Sequence, residues 1–220
     1  AYVRDQRAWA GDAPPGAVYR FAPNWKEEHV LGQLANARGI LQADGYKGYA
    51  KLYEPQPDGT PRLREAACWV HLRRDFHDIW TSTKSKIARE ALVRIGKLYD
   101  IERDIRGQSA ETRLAARQGL SQSGVEAFFD WSEHQLTRIH GKKDQAKAFR
   151  YGVSRRTAFS LFLTDGRVAI DNNPAERALR PIGIGRKNWL FAGADTGAET
   201  LARAMTIIET AKLNAIDPQA

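Results

Sequence analysis

The spacing of apolar residues changes period along the chain, and the changes mark out its elements. Short β-prone runs at 1–5 and 17–21 flank the cluster Gly11-Asp12-Ala13-Pro14-Pro15-Gly16, which predicts a β-hairpin with a long loop. Asn24-Trp25-Lys26-Glu27 then offers a helix N-cap with glutamate at the third helical position, and Val30, Leu31 and Leu34 follow at helical spacing until Gly39. Ile40-Leu41-Gln42-Ala43 reads as a buried strand ending on Asp44-Gly45. From about 65 to 162 the period is helical, with Ile87, Ala91, Ile95 and Leu98 on one face and Val125, Phe128, Phe129 and Leu136 on another. No strand pattern of comparable strength interrupts it. After the Asp165-Gly166 turn, Val168-Ala169-Ile170 reads as short and extended, and Asn173-Pro174-Ala175-Glu176 opens a helix with proline in its first position. Trp189-Leu190-Phe191 reads as a short strand or packed loop. A last helix is expected from about 197 to 213, with Leu201, Met205 and Ile208 on its buried side.

With 220 residues, 42% of them hydrophobic, and six tryptophans, the chain can bury a substantial core, so disorder of the whole is excluded. No stretch approaches the roughly 18 consecutive apolar residues of a membrane-spanning helix, so no membrane role is expected. The single cysteine, Cys68, cannot form an internal disulfide, and no basic, apolar and small-residue leader pattern is seen, which fits a reducing cytoplasm. The chain opens on Ala1 and its one methionine is Met205, so it reads as a fragment. Lysine and arginine number 34 against 26 acidic residues, a formal charge of +8, which points to a polyanionic partner, with a merely solvated basic surface as the alternative.

The element order, with a strand-tip aspartate and a helix-borne glutamate separated by a long helical stretch, predicts an α/β fold. The expected form is an RNase H-like mixed sheet in which 1–64 and 164–220 form the core and 65–163 a helical insertion. Five blocks make a resemblance specific: Ile40 to Tyr49, Cys68 to Phe76, Asp171 to Pro181, Arg186 to Gly193, and Ile208 to Asn214. All five resemble transposases of the IS66 family, in the same order, and cover nearly the whole chain.

That resemblance implies a metal-dependent transposase that cuts transposon ends and joins them to target DNA, with Asp44 as the second acidic ligand and Glu176 as the third. Mg²⁺ or Mn²⁺ is the implied cofactor in a two-metal mechanism, because paired divalent cations need several hard anionic oxygens. The family's first aspartate falls on a strand ahead of Ala1, so the sheet is expected to lack its first strand and the chain alone to be inactive; Asp5 is the alternative ligand. DNA is the implied partner, and the implied setting is the bacterial cytoplasm, nucleoid-associated, with the full-length protein a homo-oligomer. A structure-selective nuclease of the same fold and a catalytically dead DNA-binding remnant are the competing functions.

Each candidate residue also has a purely structural reading. Asp44 before Gly45 can simply start a turn, and Glu176 can reach back to cap the Asn173 amide. Arg73, Arg74, Arg155, Arg156, Arg177, Arg180, Arg186 and Lys187 are the candidate DNA contacts. Arg180 can equally pair with Glu176 one turn away. Cys68 and His71, with His77 nearby, suggest zinc, but fall short of the four ligands of a structural site and read better as a packed or phosphate-facing face. Trp189 and Phe191 could stack on an unpaired base, or be buried against the last helix.

Overall fold

The computed structural model describes residues 1–141, 143–185 and 192–219. The hairpin forms as expected: β1 (Tyr2–Arg4) pairs antiparallel with β2 (Gly16–Val18), Val3 opposite Ala17, and a 3₁₀ turn over Arg7–Trp9 begins the loop between them. Helix α1 (Glu27–Gln33) starts later than the Asn24 cap predicts, because the Asn24 carboxamide accepts the Lys26 N–H at 2.9 Å and turns the chain before the helix begins. Gly39, at φ +100°, then opens β3 (Gly39–Ala43), which ends one residue before Asp44.

A strand missing from the sequence reading follows. β4 (Leu63–Ala67) straddles the expected start of the helical stretch and pairs parallel with β3, from Gly39 opposite Leu63 to Ala43 opposite Ala67. Conversely, Val168–Ile170 forms no strand. It lies against the sheet as irregular chain, its carbonyls used by other groups: Gln42 Nε2 donates to Ala169 O at 2.7 Å and Trp69 N–H to Ile170 O at 3.1 Å.

The helical stretch comprises α2 (Trp69–Thr83), α3 (Lys86–Asp104), α4 (Ala110–Ala116), α5 (Gln122–Arg138), α6 (Asp144–Ser154) and α7 (Arg156–Ser160), with a π-helical segment over Arg117–Ser121. The main core runs through these helices and onto β4. At its centre the fully buried Trp69 ring meets Phe128, Phe129, Phe159 and Phe162, mostly edge to face, and its indole N–H donates to Phe159 O at 3.0 Å. The first residue of α2 is thereby fixed between the sheet and the helices.

Among the described residues, α8 (Asn173–Gly185) and α9 (Asp195–Leu213) follow. They enclose a second small core in which Ala17, Tyr19 and Ala178 meet Val3, Ile182 and Met205. The described strands thus form two separate pairs rather than the single mixed sheet expected, in a mixed α/β chain that is mostly helical. One physical reason is visible at β2: its outer backbone is satisfied by a helix. The Thr210 hydroxyl bridges the N–H and C=O of Ala17, and Thr206 accepts the Tyr19 N–H at 3.0 Å. Among the described residues no helix is long and apolar enough to cross a membrane.

Candidate functional site

The parallel register decides where the chain's candidate chemistry gathers. Ala43 and Ala67 are the last paired residues of β3 and β4, so Asp44 and Cys68, which follow them, leave the sheet at the same end. Asp44 is exposed. Its Oδ1 accepts the Tyr46 N–H at 3.2 Å, the turn that the sequence allowed, and its carbonyl accepts the Tyr151 hydroxyl. Gly45 is required by its backbone, at φ +79°, and a Cβ there would also press on the Arg155 guanidinium and the Tyr151 hydroxyl, which would have to shift.

Across the register, Cys68 precedes α2 and His71 lies within its first turn. Glu176 reaches the same place from α8. The last residues before that helix are held tightly: Asn172 accepts the Cys68 S–H at 2.9 Å through Oδ1 and returns its own N–H to Sγ at 3.4 Å. Asp171 Oδ1 accepts the Asn173 N–H at 3.1 Å. The amide that a glutamate cap would use is therefore taken by Asp171, and Glu176 faces α2 instead. Its Oε1 lies 3.2 Å from His71 Nε2 and its Oε2 3.6 Å from Arg74. Ligand atoms of Cys68, His71 and Glu176 all lie within 4.8 Å of one another. Among the described residues, the buried Glu176 Oε1 and His71 Nδ1 find no hydrogen-bond partner.

Burial sets the protonation of this corner. The Cys68 thiol is pushed up to about 11, with the Asn172 and His71 amides opposing. Burial also raises Asp171, against the pull of the Asn173 amide, Tyr99 and Arg177. Tyr99, whose buried hydroxyl faces that carboxylate, is raised as well.

The candidate arginines divide into engaged and available ones. Arg155 pairs with Glu65 at 2.6 Å and donates to Gly45 O, which ties α7's approach to the Asp44 turn. Arg156 reaches Asp130 and Glu133 and lies over the Phe129 ring. Arg74 leans toward Glu176. Arg73, Arg177 and Arg180 are exposed, and Arg180 forms no pair with Glu176. Asp5 is held by the Arg7 fork, at 2.9 and 2.7 Å, which lowers its pKa. His77 pairs with Asp78, apart from the Cys68 group. Arg186, Lys187, Trp189 and Phe191 lie outside the described residues.

Sequence reasoning missed Asp171 and Asn172 as the groups that set Glu176 and Cys68. The only signal was their position immediately before a helix start. It also missed that the Cys-x-x-His pair faces the glutamate.

Known proteins resemble the chain over this whole span. It is 40% identical over 220 residues to the uncharacterized protein y4qI of Sinorhizobium fredii (strain NBRC 101917 / NGR234), a match covering 99% of the chain and 41% of that relative. It is 38% identical over 231 residues to y4hP and 37% identical over 222 residues to y4jD, uncharacterized proteins of the same strain, covering 42% and 43% of them. The chain thus spans about two fifths of the length of these curated relatives. No solved structure matches it. The sequence pattern described as Transposase IS66 family matches residues 1–200, and so the chain belongs to the IS66 transposase family.

Proposed function

We propose that the chain is the catalytic core of a DNA transposase, built on an RNase H-like plan, in which Asp44 and Glu176 bind divalent metal. One observation carries the reading: two carboxylates from distant parts of the chain are delivered to the same end of the β3–β4 pair, Asp44 directly after β3 and Glu176 against the residues that follow β4. Carboxylates at the carboxyl end of parallel strands are well placed to hold cations against a phosphate backbone.

The residues present suit Mg²⁺ or Mn²⁺. Asp44 is exposed and has an oxygen to spare beyond its turn hydrogen bond, and Glu176 offers a buried oxygen that accepts no hydrogen bond from the described residues. When bound, such cations would supply activation of water or a 3′-hydroxyl and neutralisation of the leaving oxygen. The chain's own groups orient and screen. Asp171 holds the start of α8 so that Glu176 projects toward the sheet end, and Arg74 offsets its charge. Exposed Arg177 and Arg180 stand beside Glu176 on α8, placed to take phosphate oxygens.

The reading is tested in two steps. Mn²⁺ binding to the 220-residue chain, followed by paramagnetic resonance, should weaken in both Asp44→Asn and Glu176→Gln. In a protein extended to the length of the curated relatives, each substitution should abolish cleavage and joining of DNA while leaving DNA binding intact. Cleavage that survives Asp44→Asn would remove Asp44 from the metal site and with it this assignment.

A further inference from the structure

We propose that Cys68, His71 and Glu176 form a site for a borderline-soft divalent cation of the Zn²⁺ class, distinct in chemistry from the hard-cation site of Asp44 and Glu176. The site is argued from its donors. Sulfur, nitrogen and oxygen ligand atoms lie within 4.8 Å of one another. His71 Nε2 and Glu176 Oε1 are 3.2 Å apart without forming a hydrogen bond, a separation close to the edge of a tetrahedron whose bonds are about 2.0 Å. A buried carboxylate oxygen that accepts no hydrogen bond from the described residues is costly unless a cation serves it.

The ligands are also held in place before any ion arrives. Trp69, between Cys68 and His71, is locked in the aromatic core and hydrogen-bonded to Phe159 O. The Asn172 N–H donates to Sγ, the kind of outer contact that steadies a metal-bound thiolate. On coordination the thiol proton passes to solvent and the Cys68 bond to Asn172 Oδ1 is given up. A thiolate with an imidazole selects Zn²⁺ over Mg²⁺, and three protein ligands leave a fourth position open to water or substrate, unlike the closed four-ligand structural sites.

A regulatory consequence follows, which rests on the function proposed above: Zn²⁺ would take the same Glu176 oxygen, Oε1, that is offered there to Mg²⁺, and so inhibit DNA cleavage.

The test uses Co²⁺ as a spectroscopic stand-in on the 220-residue chain. Cys68 is the only cysteine, so a near-ultraviolet thiolate-to-cobalt band can arise from it alone. The band should saturate at one Co²⁺ per chain and be displaced by Zn²⁺ but not by excess Mg²⁺. Cys68→Ser should abolish it, and His71→Ala and Glu176→Gln should each weaken Co²⁺ binding about tenfold or more, with circular dichroism reporting that the variants are folded. Absence of the band in the folded parent chain would overturn the proposal, as would unchanged Co²⁺ affinity in folded Glu176→Gln. Asp44→Asn separates the two readings. If it spares the cobalt band and lowers Mn²⁺ binding, both stand. If Mn²⁺ binding is unaffected while the band persists, the Asp44 assignment fails and this site survives.

Discussion

Glu102 shows how much one residue can carry when it is buried among charges. Its carboxylate is flanked by two arginines that are almost wholly inaccessible: Arg117 donates to it at 2.6 and 2.8 Å, and Arg113 at 3.3 Å. Burial, followed by the neighbouring Arg117 charge, lowers the Arg113 pKa, and Glu102 opposes that shift. Glu102→Gln keeps the shape but leaves two guanidiniums without a counter-charge, so it should destabilise the chain by about 3 kcal/mol or more, read as a lower urea midpoint. Asp171 gives the opposite sign. Its folded pKa is raised, so as pH climbs from about 4 the unfolded chain releases its proton first, and the folded state loses stability until Asp171 is also ionised. Asp171→Asn retains an oxygen for the Asn173 amide and removes the desolvated charge. Its stability relative to the parent chain should therefore improve as pH rises from 4 to 7 in urea titrations, and a pH-independent difference would show that the Asp171 charge is not the cause.

At the scale of elements, what could be read from sequence followed local pattern, and what could not depended on contacts between distant segments. β3 was legible because four β-compatible residues end on a turn signal. β4 was not: Leu63-Arg-Glu-Ala-Ala67 holds two alanines, which favour helix over strand, and its burial comes from pairing with β3 and packing under the aromatic core. Asp44 and Glu176 stood out as residues, whereas the meeting of Glu176 with Cys68 and His71 joins the start of α2 to the start of α8, which no local period encodes. The seal of α9 on β2 is of the same kind. Threonine in a helix is ordinarily a weak choice, yet Thr206 and Thr210 serve the Tyr19 and Ala17 backbone. Thr206→Val and Thr210→Val preserve shape and strand those groups, so each should cost about 1 to 3 kcal/mol and speed hydrogen exchange at Tyr19 and Ala17 respectively. Exchange unchanged at those amides would mean that the hydroxyls do not hold the edge.

For the whole molecule the relevant quantity is charge left over after internal pairing. The formal excess of +8 suggested a row of phosphate contacts, but the fold spends some of those arginines on itself: Arg155 on Glu65 and the Gly45 carbonyl, Arg156 on Asp130 and Glu133. Arg73 and Arg180 are exposed and make no ion pair among the described residues, which leaves their guanidiniums available to DNA. Binding of unrelated duplexes, measured by fluorescence anisotropy across a salt series, should weaken linearly in log–log form, each phosphate contact contributing about 0.9 to the slope. Arg73→Ala and Arg180→Ala should each flatten the slope by about that amount and reduce affinity for every duplex alike, because a phosphate contact carries no sequence information. Arg156→Ala removes a formal charge of the same size but also releases two carboxylates. Its slope should stay near that of the parent chain, and its half-exposed ion pairs should make only a small difference to stability. An Arg156→Ala slope flattened as much as that of Arg180→Ala would show that DNA displaces the internal pairing, and that the unpaired surface charge is not what selects the contact face.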